Sequence, residues 1–331
     1  MTRVASAPVE RTVETDYKID RKYVFVCGLE RSGTTLLASN LAKLEDCTGF
    51  KNTGVMKDEG QYLQDVYRND PKFGGAGRYG FNRRAHLTEA SDLLTAENVT
   101  RLGKSWHSHW DSRKSICLEK TPGNLIRTRF LQAAFPNSYF IVIKRHPIAV
   151  SIATQKWSLT PLHKLFEHWL RYYELFEQDK RHLENLYELT YEDYINHPAR
   201  HHQDIAGFLG THAPAVEMEE VSDAHNQRYF DRWERLLSDS RWKHYHRFIA
   251  AKYDSSFAKY GYFLTKDFRT TEEKRQAHGE TSFASGCLYC LAANLVMFPW
   301  RVIRRTQWWL ERQLRARSPR PIKTIVKRLR A

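Results

Sequence analysis

The residues from Gly28 to Thr35, read as GLERSGTT, have the types and spacing that hold a phosphate group. Two glycines frame the loop as G-x-x-x-x-G, and such a loop between a strand and a helix presents backbone N–H groups to an anion. Thr34 stands where an ATP-binding loop carries the lysine that reaches the β- and γ-phosphates, while Arg31 lies earlier in the loop. The loop therefore predicts a ligand with a shorter anionic group, held by backbone N–H groups, two threonine hydroxyls and one guanidinium.

Two further cationic side chains follow predicted strands. Lys120 stands in EKTPGN at the end of one strand, and Arg145 stands in FIVIKRHP at the end of another. Because open α/β sheets bind ligands at the carboxyl ends of their strands, we expect Lys120, Arg145 and Arg31 to converge on one crevice.

Strands and helices alternate along the chain. Residues 22–27 form a short apolar run typical of a buried strand, and the leucines after the loop have helical spacing. Further apolar strands are predicted in SICLEK, SYFIVIK and LYELTYEDY, and further helices after Pro122, after Pro147, over about 162–183 and in HPARHHQDIAGFLG, closed by Gly210. This alternation predicts a three-layer α/β domain with a parallel central sheet covered on both faces.

Four of these segments, ERSGTT, EKTP, the strand ending in RHP, and TYEDYINHP…DIAGFLG, together resemble the PAPS-dependent sulfotransferase superfamily with its P-loop-like fold. The likeness covers residues 22–262 and is nearest to the membrane-associated branch that acts on glycans and on protein tyrosine. It implies 3′-phosphoadenosine 5′-phosphosulfate (PAPS) as co-substrate, with sulfonyl transfer to a hydroxyl in one in-line step that uses no metal. PAPS carries one 5′-phosphate bearing a sulfonyl group, so a lysine for a γ-phosphate is not needed.

The resemblance also implies roles for individual residues. Lys120 matches the lysine that steadies the sulfonyl group and the bridging oxygen, and Arg145 matches the arginine that binds the 3′-phosphate. The family expects a serine eight residues after that arginine, where this chain has Ala153, and Ser151 or Thr154 are the candidate replacements. The residues matching the 5′-phosphosulfate loop are Arg31, Ser32, Gly33, Thr34 and Thr35.

Transfer to a hydroxyl needs a base placed opposite the leaving phosphate. In related sulfotransferases the base is a glutamate some 20–30 residues after the loop, and here KDEGQY supplies Asp58 and Glu59. We favour Glu59, with Asp58 as the alternative, so the predicted catalytic set is Glu59, Lys120 and Arg31.

Other functions have less support in the sequence. A small-molecule kinase would need the missing loop lysine and a magnesium-binding aspartate, whereas a non-catalytic nucleotide-binding membrane adaptor would not need Lys120 or an acid near position 59. His107 and His109 lack the further ligands of a metal site, so no metal is expected. The net charge of +14 suggests nucleic acid, but residues 301–331 carry +10 of it, leaving an ordinary balance in the body of the chain.

The two ends of the chain differ from its middle. The N-terminal segment has no apolar stretch that would export the protein, so a cytoplasmic location is expected. Residues 281–300 lack charge over a length that could span a bilayer, and tryptophans and arginines follow. A spanning helix would either place the domain on the side away from the cytoplasm or force the basic tail across the bilayer. We therefore expect an interfacial or re-entrant helix, with a buried helix of the domain as the alternative. The predicted organisation is a leader (1–21), a sulfotransferase domain (22–265), a linker (266–280) and a membrane-associated tail (281–331).

Overall fold

A computed structural model describes residues 21–213, 224–238, 240–265 and 283–317. Its strands are β1 (Lys22–Cys27), β2 (Cys47–Gly49), β3 (Ile116–Lys120), β4 (Ser138–Lys144) and β5 (Leu186–Thr190). Its helices are α1 (Thr34–Leu41), α2 (Ala96–His107), α3 (Thr128–Ala134), α4 (Pro147–Ser158), α5 (Leu162–Asp179), α6 (Tyr191–Asn196), α7 (Pro198–Leu209), α8 (Ala224–Ser238), α9 (Lys243–Ala258) and α10 (Phe283–Arg317). The predicted leader (except Arg21), the linker and the residues after 317 lie outside this description.

The five strands form one parallel sheet in the order β2-β3-β1-β4-β5, which confirms the predicted α/β fold with a parallel central sheet. β1 lies in the middle, with Val26 opposite Lys120 of β3 and Cys27 opposite Val142 of β4. The carboxyl ends of these three strands therefore meet at one edge of the sheet. The edge strand β2 was not predicted, because three residues are too few to show a periodic pattern.

The side chains of β1 alternate between two cores. Tyr23 and Phe25 pack with α2, α4 and α5 on one face, whereas Val24 and Val26 pack with α1, α6 and α7 on the other. All four side chains are buried, as the period of two in a strand covered on both faces requires. The sheet is thus the middle of three layers.

Helix α10 joins the predicted apolar segment and part of the basic tail in one helix, with Pro299 inside it. It packs on α9, where a Cβ on Gly286 would lie 2.1 Å from the ring of Phe248. Asn294 Nδ2 lies 3.2 Å from Nε2 of His163 on α5. This part of α10 thus contacts the domain.

Much of the remaining apolar surface of α10 is exposed. The exposed large apolar side chains are Leu288, Leu291, Leu295, Val296, Phe298, Trp300, Val302, Ile303 and Leu310. Among the helices that the structure describes, none combines the length and the apolar character needed to cross a membrane.

Candidate active site

The loop between β1 and α1 has a backbone shape that depends on glycine. Gly33 adopts φ +98°, and a Cβ at this position would lie 2.6 Å from the ring of Tyr191. A side chain at 33 would therefore meet both backbone strain and a clash. Arg31 adopts φ +73° as well, so the loop turns sharply on either side of Ser32.

The first turn of α1 opens toward this loop. Its N-cap residue is Gly33, which has no side chain to accept a hydrogen bond from the N–H groups of that turn. N–H groups of this kind and the positive end of the helix dipole together favour an anion. Around them, Ser32 and Thr34 are buried, while Thr35 and the side chain of Arg31 are exposed. These features of the loop favour an anion, and the phosphosulfate contacts of residues 31–35 stay a prediction.

Lys120 and Glu59 are in contact at the carboxyl end of β3. Lys120 Nζ lies 3.2 Å from Oε1 of Glu59, and the two side chains are only 7% and 6% exposed. Nζ also donates to the carbonyl oxygen of Lys57 at 3.2 Å. In a site shielded from water, such a pair keeps a carboxylate and an ammonium in fixed positions. The structure therefore brings two of the three predicted catalytic residues together.

Asp58 is bound differently from its neighbour. Its Oδ1 accepts from the backbone N–H of Thr53 at 2.8 Å and from the Thr53 hydroxyl at 2.6 Å. These hydrogen bonds lower the pKa of Asp58 although desolvation, the largest influence, acts to raise it. Lys57 and Asp58 have φ of 55° and 49°, and the Thr53 contacts hold this strained turn. The geometry gives Asp58 a structural role and leaves Glu59 beside Lys120.

The loop that carries Glu59 is anchored by Glu119, a residue that the sequence did not point to. Glu119 Oε1 accepts from the N–H of Gly60 at 2.8 Å and from the hydroxyl of Thr121 at 2.5 Å. Its Oε2 accepts from Nδ2 of Asn124 at 2.5 Å. Burial raises the pKa of Glu119 to about 7. One feature of the sequence could have pointed to Glu119: it is a charged residue inside the buried strand ICLEK. Because it precedes Lys120 directly, its side chain lies on the opposite face of the sheet.

Gln61 provides a second support for Glu59. Its Nε2 donates to Oε2 of Glu59 at 2.8 Å, and its Oε1 accepts from the N–H of Asp70 at 2.9 Å. Both carboxylate oxygens of Glu59 thus have a partner, one from Lys120 and one from Gln61. This buried amide was likewise not predicted, because its partners are fixed only by the folded loop.

Arg145 lies directly after β4 and is held by uncharged groups. Its Nε and Nη2 donate to Oδ1 of Asn226 at 2.9 and 2.6 Å, and its Nη1 donates to the carbonyl oxygen of Arg31 at 2.8 Å. The guanidinium stacks 3.8 Å from the ring centre of Tyr191. Within the described ranges Arg145 forms no ion pair with a carboxylate. Its positive charge is therefore still available to an anionic ligand.

Glu192 organises the neighbourhood of Arg145. Its Oε1 accepts from the backbone N–H of His146 and from Nδ2 of Asn226, each at 3.1 Å. His146 Nδ1 in turn accepts from the N–H of Ile148, so this histidine caps α4. Burial lowers the pKa of His146 to about 4, which keeps the ring neutral.

The candidates for the missing family serine lie on α4. Ser151 and Thr154 are both buried, and the Thr154 hydroxyl has no hydrogen-bond partner among the described residues. Ala153 packs in the core. The Tyr229 ring centre lies 5.8 Å from the Arg145 guanidinium. No group of three or more metal-ligating side chains occurs within the described parts of the chain.

Comparison with known proteins assigns this chain to a class. The family model described as "Sulfotransferase family" matches residues 24–215, which is more than half of the chain. The protein belongs to the sulfotransferase family, and the predicted resemblance to the sulfotransferase superfamily is confirmed. No curated protein matches the chain significantly.

Solved structures of sulfotransferases are also similar to the chain. The sulfotransferase domain from the curacin biosynthetic pathway is 13% identical, with a TM-score of 0.48 over 74% of this chain and 99% of that one. The sulfotransferase domain from the Synechococcus PCC 7002 olefin synthase is 18% identical, with a TM-score of 0.40 over 63% and 78% of the two chains. Sulfotransferase STF1 from Mycobacterium tuberculosis H37Rv is 15% identical, with a TM-score of 0.39 over 64% and 71%. With TM-scores below 0.5, these likenesses carry no part of the assignment, which rests on the family match.

Proposed function

We propose that this sulfotransferase uses PAPS and transfers its sulfonyl group to a hydroxyl, with Glu59, Lys120 and Arg31 as the catalytic residues. The observation that carries the proposal is the buried contact of 3.2 Å between Lys120 and Glu59, at the same sheet edge as the anion loop and Arg145. An acid and a base held together beside an anion site are the groups that hydroxyl sulfonation needs.

In this proposal, the chain binds the nucleotide at its two anionic groups. Residues 31–35 receive the 5′-phosphosulfate with backbone N–H groups, the hydroxyls of the loop and the exposed guanidinium of Arg31. Arg145 receives the 3′-phosphate, which fits a guanidinium that is held by Asn226, a carbonyl oxygen and an aromatic ring and has no carboxylate partner among the described residues. Ser151 or Thr154 supplies a hydroxyl to the same phosphate. The unpartnered hydroxyl of Thr154 supports this role.

The reaction is a single displacement at sulfur. The acceptor oxygen forms a bond to sulfur as the bond between sulfur and the phosphate oxygen breaks, giving a sulfated acceptor and 3′-phosphoadenosine 5′-phosphate (PAP). Glu59 takes the proton of the acceptor hydroxyl, and Lys120 stabilises the negative charge that grows on the departing phosphate. Gln61 and Glu119 keep the base in position.

The acceptor proposed is a saccharide or a glycolipid presented at the cytoplasmic face of a membrane. The exposed apolar side chains of α10 and the net charge of +10 over residues 301–331 support attachment through residues 281–331. Such a helix would lie in the interface and bring the catalytic domain to lipid-linked acceptors. Residues 22–265 form the catalytic domain in this proposal, and residues 266–280 link it to the tail.

The proposal is tested with nucleotides first and acceptors second. PAP should raise the melting temperature of the full chain, whereas ATP at the same concentration should not. The protein should then move radiolabelled sulfate from PAPS to a component of lipid or glycan extracts. Stabilisation by ATP with no effect of PAP would favour a kinase, and PAP binding without any labelled product across the extracts would favour a non-catalytic adaptor.

A further inference from the structure

Glu30 is an unexpected residue type for its position. It lies inside the anion loop, next to Arg31, where a carboxylate would repel the phosphosulfate that the loop is proposed to hold. The side chain is partly buried, and the hydroxyl of the fully buried Tyr79 donates to its Oε2 at 3.2 Å. The loop thus contains an acid whose charge conflicts with its surroundings.

The acids near Glu30 are paired with cations. Asp70 pairs with Arg127 at 2.6 Å, and Glu59 pairs with Lys120 at 3.2 Å. Among the described residues, Glu30 forms no ion pair. Burial, together with the charges of Asp70 and Glu59, raises the pKa of Glu30 to about 8.

The phenols around Glu30 do not supply a charge either. The pKa values of Tyr79 and Tyr172 are raised far above their usual range, chiefly by burial, so both hydroxyls stay protonated at any working pH. Among the described residues, the titratable groups facing Glu30 are therefore two acids paired with cations and two neutral phenols. Under these conditions a neutral carboxyl is stable near pH 7, and it can donate a hydrogen bond as well as accept one.

We propose that Glu30 couples nucleotide binding to the uptake of a proton. Its carboxyl is neutral and donates a hydrogen bond when the anionic nucleotide is bound. The ionised carboxylate opposes binding. This inference rests on the proposed function, because it requires the loop to bind PAPS and PAP. It assigns a binding role to a loop residue that had none.

The proposal makes nucleotide binding depend on pH in a defined direction. Bound phosphate would raise the pKa of Glu30 further, so binding at alkaline pH must be accompanied by proton uptake. Affinity for PAP should be constant well below pH 8 and should fall above it, by about tenfold per pH unit at the steepest. The phosphates do not add to this slope, because their second pKa of about 6 lies below the window.

The experiment is calorimetry of PAP binding to the full chain at pH 7.5, 8.25 and 9.0. The dissociation constant should rise about fivefold or more over this range, and buffers of different ionisation enthalpy should report uptake of most of one proton near pH 8.5. Glu30→Gln, which is neutral at every pH, should bind PAP with little change over the same range and take up almost no proton. Glu97→Gln, at an exposed acid on α2, should behave as the unaltered chain does.

Two results separate failure of this inference from failure of the proposed function. Equal pH dependence in Glu30→Gln and the unaltered chain would assign the proton to another group and overturn the inference. One such group is Tyr229, near Arg145: desolvation acts to raise the pKa of Tyr229, but the hydrogen bond and charge of Arg228 lower it. Absence of PAP binding at every pH would instead contradict the function. Tyr79→Phe offers a second test that keeps the carboxyl: it should alter the midpoint of the pH dependence without abolishing the dependence.

Discussion

Glu59 and Asp58 are neighbours in sequence with different surroundings, so substituting Glu59 should lower turnover, whereas substituting Asp58 should mainly lower stability. Glu59→Gln keeps the size of the side chain but cannot take a proton. Turnover should fall by about 10²–10⁴, the usual effect of losing a general base. Well below about pH 8, where Glu30 is neutral, PAP binding should stay nearly unchanged, because the direct contacts of Glu59 are with Lys120 and Gln61. Initial rates of sulfate transfer and calorimetry with PAP measure the two quantities.

Asp58→Asn is the matched control for that experiment. It weakens the hydrogen bonds to Thr53 that hold the turn, so its effect should be mainly on stability, with turnover reduced much less. An inactive Asp58→Asn beside an active Glu59→Gln would move the base by one residue.

Substitution of Lys120 and of Arg145 should affect different quantities, kcat in the first case and nucleotide affinity in the second. Arg145 is proposed to meet a phosphate that is present in both PAPS and PAP, so Arg145→Ala should weaken binding of both nucleotides. Lys120→Ala should lower kcat with a smaller effect on nucleotide affinity, because its partner charge develops only in the transition state. Calorimetry and steady-state kinetics separate these effects. Unchanged affinity for PAP in Arg145→Ala would contradict the 3′-phosphate assignment.

At the scale of elements, the turn that carries Glu59 depends on strand β3 through Glu119. Glu119→Gln replaces one of two accepting oxygens with an amide donor facing Gly60, Thr121 or Asn124. We expect a lower kcat, an increase in protease cleavage near residues 56–62, and PAP affinity close to that of the unaltered chain. Glu119 is a positioning residue in this interpretation. If kcat falls while cleavage of the turn is unchanged, its role is not positional.

Helix α10 gives a prediction about membrane binding. Deleting it would also uncover Phe248, so substitutions on its exposed face are a cleaner test. Leu291→Ser with Leu295→Ser changes two side chains that are 56% and 65% exposed, which should leave the melting temperature nearly unchanged. Sedimentation with vesicles containing anionic lipid should fall several-fold relative to the unaltered chain. Phe81→Ser, at an exposed residue outside α10, is the control, and equal sedimentation of all three proteins would contradict attachment through this face.

At the scale of the whole molecule, buried titratable groups set the pH of greatest stability. Burial lowers the pKa of His168 to about 3 and of His146 and His246 to about 4, so below pH 6.5 the unfolded chain binds more protons at these three histidines than the folded one. Their stabilising contribution is present above pH 6.5 and is lost as the pH falls. Glu119 and Glu30 act in the opposite direction, because their raised pKa values stabilise the folded state at low pH, and this contribution is lost as the pH rises from about 4.5 through about 7 and 8.

The melting temperature should therefore pass through a maximum at about pH 6.5, where the gain from the three histidines ends and the loss from the two glutamates continues. Thermal unfolding from pH 4.5 to 9 at constant ionic strength measures it, and Glu30→Gln should show a smaller alkaline decline. A melting temperature that rises steadily from pH 7 to 9 would show that other groups dominate.

The sequence revealed those parts of the site that depend on neighbours along the chain. Lys120 and Arg145 were predicted at strand ends because each follows an apolar run within its own segment, and the loop was visible from its glycines. Glu119, Gln61 and Asn226 were missed because their roles come from residues far apart in the chain, such as the contact between Asn226 and Arg145. Nothing in a local pattern distinguishes a buried glutamate that anchors a distant turn from an ordinary charge. The continuous helix α10 was missed for a related reason, since its change from apolar to basic composition suggested two segments.

The central place of β1 in the sheet also constrains how the protein folds. Lys22 is in register with Ile116 and Tyr23 with Ser138. Strand β1 therefore cannot pair with its neighbouring strands until β3 and β4 have been synthesised. The anion loop depends on the same segments, because the N–H of Gly28 donates to Pro122 and Gly28 lies against Ile143 of β4. Contacts between such distant residues slow folding, since a long loop must close before they contribute. A nascent chain that ends before β4 therefore cannot complete the loop, and the proposed nucleotide site is acquired late, together with the middle of the sheet.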